Sequence, residues 1–398
     1  MDLIGWVIFI VALLFSVMLH ETGHFVMAKR FGMKCTRYFV GFGPTLWSTW
    51  RGETEYGIKA LPFGGFVKII GMHSLDDVDD PEDEPRSFRR QPAWQRIIVL
   101  CAGSFMHFVL AFLLIFGLAL GIGIVNDNTT QLGTVSPCVA SSAAQLNAGT
   151  CTSADKPSPA KLAGLRVGDQ VTSFDGTPVS NWTQLGNLIR GKAAGSASTF
   201  TVRRDGKTLI LHATLAAVTG RSGSYLGIAP AVVFQTANPV RAVQYAGSSF
   251  GQVLVGSAKA VGALPAALPK LFSKDRSSTA AGQVSSVVGA AEATGQAVAA
   301  DVGWRYKVSF VLLLIASLNI FVGAFNMLPL LPLDGGHVAV VIWERIRAAF
   351  ARLRHRPDPG MVDMAKLLPV SFSLFMVLMF FGVILILADI VNPVNIAG

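Results

Sequence analysis

Four long stretches of this sequence contain almost no charged side chains, and they limit the possible fold more than any other feature. They cover residues 3–27, 97–126, 308–333 and 367–388. Each is longer than the roughly 20 apolar residues that cross a bilayer as a helix. Over the whole chain, 52% of the residues are hydrophobic and only 14% are charged. The pattern predicts a polytopic α-helical membrane protein with four transmembrane helices.

The four predicted spans divide the chain into segments. We place the spans at residues 1–28, 97–125, 307–334 and 367–390. Between and after them lie a connection at 29–96, a long segment at 126–306, a loop at 335–366 and a tail at 391–398. The first span is unlike a cleaved signal peptide, because it lacks a preceding basic region and a small-residue cleavage site. We therefore expect it to remain in the protein.

The distribution of lysine and arginine predicts the orientation of the spans. The connection at 29–96 contains eleven of these residues and the loop at 335–366 contains six, whereas the two tails contain none. Cytoplasmic loops carry such an excess. We therefore place both connections in the cytoplasm, and both termini and the long segment outside. That segment is also basic, but long domains translocate regardless of charge, and it carries no nucleic-acid motif.

A polar motif, His-Glu-Thr-Gly-His, interrupts the first apolar stretch at residues 20–24. On a helix, His20 and His24 share one face and can reach one metal ion, and Glu21 can act as a base toward water there. An ionisable residue at membrane depth is costly, so it indicates function. The alternative is a buried cluster that only holds helices together. The motif favours a zinc site for hydrolysis at membrane depth.

The third apolar stretch ends in a segment that cannot stay helical, Asn-Met-Leu-Pro-Leu-Leu-Pro-Leu-Asp-Gly-Gly at 326–336. Such a break is tolerated at membrane depth only where the backbone is buried or lines a cavity. Asp334 lies at the cytoplasmic end of this span, at a depth similar to that of the histidine pair. Two histidines and one carboxylate, with a fourth position open, form a catalytic zinc arrangement. The alternative is an interfacial aspartate that caps the next helix.

The long outer segment begins with a small α+β domain at 126–231. A strand-like run at 170–174, a helical pattern after the candidate N-cap Ser180, and a hairpin turning at 205–206 resemble a PDZ domain of the bacterial protease-associated kind. The resemblance implies that Tyr225, Leu226, Gly227 and Ile228 form a peptide-carboxylate loop beside a groove that accepts an extended chain. An insertion at 137–156 departs from the usual short loop and either caps the groove or decorates the surface.

The remainder of the outer segment, at 232–306, is rich in alanine, glycine and serine. Apolar residues recur at helical spacing after Asn238 and Pro239, which predicts an amphipathic helix near the membrane surface. A packed helix and a mobile linker are the alternatives.

The motifs together resemble the site-2 protease family of intramembrane zinc metalloproteases, in its bacterial single-PDZ form. The resemblance covers nearly the whole chain and rests on the motif of the first span, the Asn-x-x-Pro-x-x-x-Leu-Asp-Gly motif after the third, and the PDZ-like domain between them. It implies one zinc ion per chain, bound by His20, His24 and Asp334. It also implies that Glu21 is the catalytic acid and base and that Asn326 positions the substrate.

Two further segments bear on this resemblance. Residues 55–68 resemble the family's membrane-associated β-hairpin, which we place at about 53–70. Gly64 and Gly65 are predicted to contact substrate, because an exposed edge there can pair with an unwound chain; the alternative is a hairpin that only walls off the site. In the second span, His107 stands where relatives usually have asparagine. We expect it to pack through a hydrogen bond rather than bind zinc.

The resemblance implies a zinc metalloendopeptidase in the bacterial plasma membrane, with its active site toward the cytoplasm. Its expected substrate is a single-span membrane protein, such as an anti-sigma factor, first cut outside by a site-1-type protease. This is regulated intramembrane proteolysis, typically in a stress response. The alternative is a catalytically inactive zinc-binding adaptor that captures partner tails through its PDZ domain. A transporter is disfavoured because no inverted repeat is apparent.

Two of the four cysteines, Cys138 and Cys151, fall in the predicted outer segment. Disulfides persist in oxidising compartments, so the orientation favours a bridge between them. Two free thiols are the alternative.

Overall fold

A computed structural model describes residues 3–72, 80–126, 128–139, 151–153, 155–218, 223–273, 285–300 and 302–392. The chain forms two compact units, one of residues 1–119 and 238–397 and the other of residues 120–237. The second unit is thus inserted between two halves of the first. The predicted tail beyond Asn392, and residues 140–150 of the predicted insertion, lie outside the described residues.

The helices and strands follow one another in a simple order. The helices are α1 (Leu3–Arg30), α2 (Ala93–Gly121), α3 (Pro159–Leu162), α4 (Trp182–Arg190), α5 (Pro239–Ala267), α6 (Val287–Ala299), α7 (Trp304–Asn326), α8 (Asp334–Leu353) and α9 (Leu368–Val391). The strands are β1 (Cys35–Arg51), β2 (Thr54–Ile69), β3 (Ile124–Asn126), β4 (Leu132–Val135), β5 (Gln170–Phe174), β6 (Thr177–Pro178), β7 (Ala197–Arg204), β8 (Lys207–Thr214), β9 (Ile228–Pro230) and β10 (Val233–Gln235).

Helices α1, α2, α7 and α9 are long and apolar enough to cross a membrane, which confirms the four predicted spans. A helix satisfies its backbone hydrogen bonds internally, as the bilayer core requires. The third span ends earlier than predicted. Helix α7 stops at Asn326 rather than near Asp334, because Pro329 and Pro332 cannot continue a helix.

The spans pack closely where their residues are small. A Cβ atom placed on Gly23 of α1 would stand 2.5 Å from the carbonyl oxygen of Ala102 in α2. One placed on Gly323 of α7 would stand 2.7 Å from the ring of Phe108 in α2. Such close approach through small residues is how helices associate in lipid. Helices α1, α2 and α7 therefore form one tight group.

The segment between the second unit and α7 contains packed helices, which was one of the alternatives left open by the sequence. Ala246 of α5 belongs to an apolar cluster with Ala316 and Ile320 of α7. Helix α6 lies against α1, where a Cβ atom on Gly5 would stand 2.6 Å from the Cα atom of Gly295. These contacts hold both helices against the spans.

Strands β1 and β2 fold back on themselves and form four paired segments. In the sheet, these segments lie in the order 65–68, 37–40, 55–58 and 47–50, and each one pairs with its neighbour. The segment 65–68 is therefore an edge of the sheet. The sheet begins at Cys35, well before the predicted hairpin at 53–70. No strand was predicted over residues 35–51.

The second unit contains a four-stranded sheet in the order β6-β5-β7-β8 and two short pairs, β4 with β9 and β3 with β10. The predicted hairpin is β7–β8, with Phe200 opposite Leu211. Phe200 packs with Phe174 and Leu185 in the core of this unit. The N-cap of α4 is Asn181, whose side chain accepts a hydrogen bond from the backbone of Gln184. Ser180 was therefore the wrong N-cap, since its own hydroxyl bonds the Gln184 side chain.

The predicted loop at 335–366 is helical over more than half of its length. Helix α8 starts at Asp334 and runs to Leu353. Val338 and Val341 on its inner face join an apolar cluster with residues from the end of α1, the base of the β1–β2 sheet and the start of α2. This packing brings the beginning of α8 next to the motif of the first span.

Candidate metal centre

The three predicted metal ligands lie together. His20 Nε2 and His24 Nε2 are 3.0 Å apart, since residues four apart share one face of a helix. Asp334 Oδ2 lies 3.3 Å from His20 Nε2 and 3.4 Å from His24 Nε2. Both histidines are buried. The structure thus brings one atom from each residue to a single point.

Two glycines allow Asp334 to reach this point. A Cβ atom on Gly335 would stand 2.3 Å from the carbonyl of Met327, and one on Gly336 would stand 2.6 Å from that of Leu330. The first turn of α8 therefore packs directly on the backbone that follows α7. Any larger residue at either position would push Asp334 away from the histidines.

The converging atoms suit a zinc ion. Tetrahedral zinc with bonds of about 2.0–2.2 Å holds its ligand atoms roughly 3.3 Å apart, which matches the three separations. Asp334 Oδ2 is buried and has no hydrogen-bond partner among the described residues. A buried polar atom without a partner is costly, so this oxygen is explained by a cation. Nitrogen and carboxylate oxygen are ligands that zinc accepts, with a fourth position left for water.

Helix α2 forms one wall of the site without supplying a ligand. His24 Nδ1 lies 2.7 Å from the carbonyl oxygen of Val99. One turn further along, a Cβ atom on Gly103 would stand 2.4 Å from His24 Nε2 and 2.6 Å from His20 Cε1. The absence of a side chain at Gly103 is therefore what leaves room for the histidine pair. Sequence reasoning did not identify Val99 or Gly103.

Glu21 faces the edge of the β1–β2 sheet. Its Oε2 accepts a hydrogen bond of 3.1 Å from the backbone N–H of Val67. Nearby, a Cβ atom on Gly65 would stand 2.5 Å from the sulfur of Met18, and Gly64 has a φ of +111° that favours glycine. Residues 64–67 therefore run alongside the turn of α1 that carries the motif. The two glycines singled out from the sequence belong to this contact.

A buried polar network lies one turn from the histidine pair. His107 Nδ1 is 2.7 Å from Asn319 Oδ1, and Asn319 Nδ2 donates to Ser16 Oγ at 3.1 Å. All three side chains are buried, and the His107 ring centroid lies 5.0 Å from that of His20. His107 is not among the atoms that converge on the metal point. Sequence reasoning missed Asn319 and Ser16, although an amide within an apolar span is a usable signal.

The remaining predicted site residues are Asn326 in the first unit and four consecutive residues in the second unit. Asn326 is the last residue of α7. In the second unit, the backbones of Tyr225 and Ala216 exchange two hydrogen bonds. The carbonyl oxygen of Leu226 accepts a hydrogen bond from the N–H of Ala160. The carbonyl oxygen of Gly227 accepts a hydrogen bond from the N–H of Ser136. Ile228 begins β9, which pairs with β4.

The cysteines of the second unit are joined. Cys138 and Cys151 form a disulfide with their Cα atoms 6.0 Å apart. Next to it, the N–H of Val139 donates to the carbonyl oxygen of Lys156. The disulfide and this hydrogen bond close the two ends of the predicted insertion.

A charged cluster outside the spans holds the base of the sheet. Glu53, in the turn between β1 and β2, accepts two hydrogen bonds of 2.8 Å from Arg86 and one of 2.7 Å from Lys29 at the end of α1. The two hydrogen bonds from Arg86, followed by the one from Lys29, lower the pKa of Glu53 to about 2 against the opposing effect of burial. The cluster ties the sheet to the helix that carries the histidines.

Comparison with known proteins gives one family for most of the chain. The model of peptidase family M50 matches residues 8–358. The zinc metalloprotease Rip1 of Mycobacterium tuberculosis strain H37Rv is 36% identical over 408 residues, which is 98% of each chain. That of Mycolicibacterium smegmatis is 36% identical over 419 residues, 99% of this chain and 98% of its own.

More distant similarities cover less of the chain. A putative zinc metalloprotease of Fusobacterium nucleatum is 28% identical over 341 residues, covering 86% of this chain and 88% of its own. Among solved structures, the PDZ domain of an SdrC-like protein from Listeria monocytogenes is 17% identical. That comparison covers 28% of this chain and 92% of the domain, with a TM-score of 0.18.

Proposed function

This chain belongs to peptidase family M50, the site-2 proteases, and is a zinc metalloprotease; from this we propose that it cleaves transmembrane segments of single-span membrane proteins at a site formed by His20, His24, Asp334 and Glu21. The observation that carries the proposal is the convergence of the three ligand atoms, 3.0–3.4 Å apart, on one buried point. Because the ligands come from membrane helices and their immediate continuation, the bond that is cut lies at membrane depth.

The proposed chemistry is hydrolysis of a peptide bond by one water molecule. His20, His24 and Asp334 would hold one zinc ion per chain, which would supply Lewis-acid chemistry and make water a nucleophile at neutral pH. Glu21 accepts the proton of the attacking water and then gives it to the leaving amide nitrogen. The water oxygen forms the new C–O bond as the C–N bond breaks. Glu21 is thus regenerated after each turnover.

A substrate helix must unwind before this chemistry, because its peptide bonds are hidden in intrahelical hydrogen bonds. The edge segment 65–68 supports a route by which the unwound chain is held. It pairs with β1 on one side, and its Val67 N–H already reaches Glu21. An extended substrate that adds to this edge by strand pairing would place its backbone next to the metal. Asn326 and the glycines Gly64 and Gly65 are proposed substrate contacts.

The proposed orientation follows from the charges. The segment that contains the β1–β2 sheet and the loop that contains α8 hold most of the lysines and arginines of the first unit, so both would face the bacterial cytoplasm. The second unit and both termini would then lie outside. A cysteine introduced at Lys192 should react with a membrane-impermeant thiol label on intact cells, and one introduced at Asp80 should not. The reverse pattern would contradict the orientation.

The proposed physiological partners are anti-sigma factors or similar proteins, first shortened outside by a site-1-type protease. The PDZ-like second unit would take part on that side of the membrane, through the loop at Tyr225, Leu226, Gly227 and Ile228. Strand addition to a PDZ groove recognises an extended chain end, which a first cut creates. Regulated intramembrane proteolysis during a stress response is the process that fits this arrangement.

The decisive experiment uses the purified full-length protein with a model single-span substrate. Glu21→Gln should keep zinc, because the three ligands remain, and should lower cleavage by roughly 10²-fold or more, because the proton acceptor is lost. Asp334→Ala should lower both zinc content and cleavage. Glu292→Gln, the same change on α6, is the matched control. Wild-type turnover in Glu21→Gln would refute its role, and a zinc-loaded wild-type protein that cuts nothing would favour the adaptor.

A further inference from the structure

Helix α8 carries an apolar face that points away from its packed side. The packed side is buried and includes Val338, Val341, Glu344 and Ala348. The opposite face consists of large side chains that are 46–79% exposed: Ile342, Trp343, Ile346, Phe350 and Leu353. At about 100° per residue, these five side chains cover an arc of roughly 100°. An apolar stripe of this width is too large to be a scatter of single surface residues.

Arginines lie along both borders of this stripe. On the same helical projection, Arg345 and Arg352 fall on one border, and Arg347 and Arg354 fall on the other. The guanidinium of Arg354 stacks on the ring of Phe350, 4.1 Å from the centroid. The stripe is thus apolar in the middle and cationic on both sides.

The acidic residues of α8 do not neutralise these arginines. Asp334 faces the histidine pair, and Glu344 lies on the packed side, where it bonds Arg96 at 2.9 Å and the N–H of Val362. The exposed side of the helix therefore carries positive charge alone.

The place of α8 in the chain indicates what covers the stripe. The helix connects the end of the span α7 to the start of the span α9, so it lies where the chain leaves and re-enters the bilayer. An apolar face between rows of cations is the pattern of a helix that lies in the plane of a membrane surface. Arginine side chains can extend from such a helix to the phosphates of the lipid headgroups.

We propose that α8 is an interfacial helix that inserts its apolar stripe into the bilayer surface and binds anionic phospholipid headgroups through Arg345, Arg347, Arg352 and Arg354. A bilayer fits this surface because acyl chains lie beneath a layer of phosphates, which matches both the apolar centre and the cationic borders. The same rigid helix begins with Asp334. Headgroup binding at one part of α8 therefore stabilises the position of a metal ligand at its start, a consequence that rests on the proposed zinc site.

A fluorophore on the stripe tests this directly. The full-length protein, with Cys35 and Cys101 replaced by serine and a probe attached at Ile346→Cys, is placed in nanodiscs of phosphatidylcholine or phosphatidylglycerol. Brominated lipid chains should quench the probe, and water-soluble iodide should not. Competition between brominated and ordinary lipids should show a preference of roughly fivefold or more for phosphatidylglycerol, since each arginine near an anionic surface contributes about that factor.

Charge variants separate headgroup binding from insertion. Arg345→Gln/Arg352→Gln/Arg354→Gln, which leaves only Arg347 of the four, should lower the preference for phosphatidylglycerol by roughly fivefold or more, whereas Lys161→Gln/Arg190→Gln/Lys207→Gln, an equal loss of charge on the second unit, should keep it. The probe in the protein with all its arginines tests insertion even if the triple variant fails to fold.

Four results would overturn the proposal. Quenching by iodide would mean that the stripe faces water. Protection from both iodide and brominated lipid would mean that protein covers it, either a second copy or another partner. Quenching by brominated lipid without preference for phosphatidylglycerol would remove the headgroup contact. Displacement of phosphatidylglycerol by inorganic phosphate would indicate an isolated anion site instead of a membrane surface.

Discussion

His24 Nδ1 is hydrogen-bonded to the carbonyl oxygen of Val99, 2.7 Å away. A carbonyl oxygen only accepts, so the Nδ1 atom must carry the proton, and Nε2 keeps its lone pair toward Asp334 and His20. Partners of this kind fix the tautomer and the ring orientation of a metal ligand. The second span thus fixes the tautomer and orientation of a proposed metal ligand that belongs to the first span.

The contact between α2 and the histidine pair predicts a sensitive position. Gly103→Ala should lower zinc affinity by roughly 10-fold or more, because the added Cβ atom would stand 2.4 Å from His24 Nε2. Competition with a metal chelator measures the affinity. Gly117→Ala on the same helix is the control, since nothing lies within 4 Å of its Cβ position. Equal affinity in the two variants would show that Gly103 does not limit the site.

The buried network of His107, Asn319 and Ser16 predicts a non-additive effect. Asn319→Leu should destabilise the protein by about 1–3 kcal/mol, because it leaves the buried His107 Nδ1 without its hydrogen-bond partner. It also removes the donor to Ser16 Oγ, which keeps its own hydrogen bond to the carbonyl oxygen of Ala12. Adding Ser16→Ala and His107→Leu, which remove the hydrogen-bonding partners of Asn319, should recover part of the lost stability. Thermal unfolding in detergent measures both. Additive losses in the triple variant would mean that the three side chains act independently.

The cluster around Glu53 predicts a pH-dependent contribution to stability. The folded pKa of Glu53, about 2, lies below its ordinary value of 4.5. The contribution is therefore complete above pH 4.5 and disappears as the pH falls toward 2. Glu53→Gln should lower stability by roughly 1 kcal/mol near neutral pH, the size of a partly exposed ion pair. In thermal unfolding followed by circular dichroism, the difference in stability between Glu53→Gln and wild type should shrink below pH 4.5. A difference that stays constant with pH would exclude the ionised carboxylate as its cause.

The disulfide of the second unit predicts a local effect. Cys138→Ser/Cys151→Ser should make residues 137–156 more sensitive to added protease, because closing a loop of this size contributes roughly 3 kcal/mol. Zinc content and cleavage of a pre-shortened substrate should stay unchanged, since neither cysteine is one of the three proposed metal ligands. Mass spectrometry of non-reduced peptides identifies the bond, and two free thiols under oxidising conditions would contradict it.

Much of the architecture could be predicted because it depends on local pattern. The spans follow from runs of apolar residues, and the pairing of His20 with His24 follows from helical spacing. The contact of Glu21 with Val67 could not be predicted, since it depends on strands that fold back at glycines. The roles of Gly103 and Asn319 were missed for a related reason. They depend on which helix faces meet, and hydropathy alone carries no information about rotation around a helix axis.

The order in which the chain supplies its proposed metal ligands has a consequence for biosynthesis. His20 and His24 are made before the second unit, and Asp334 follows only after the second unit and the third span. A nascent chain that has not yet reached Asp334 therefore cannot assemble the proposed three-ligand cluster. The timing of synthesis would delay hydrolytic activity until the second unit has already been produced.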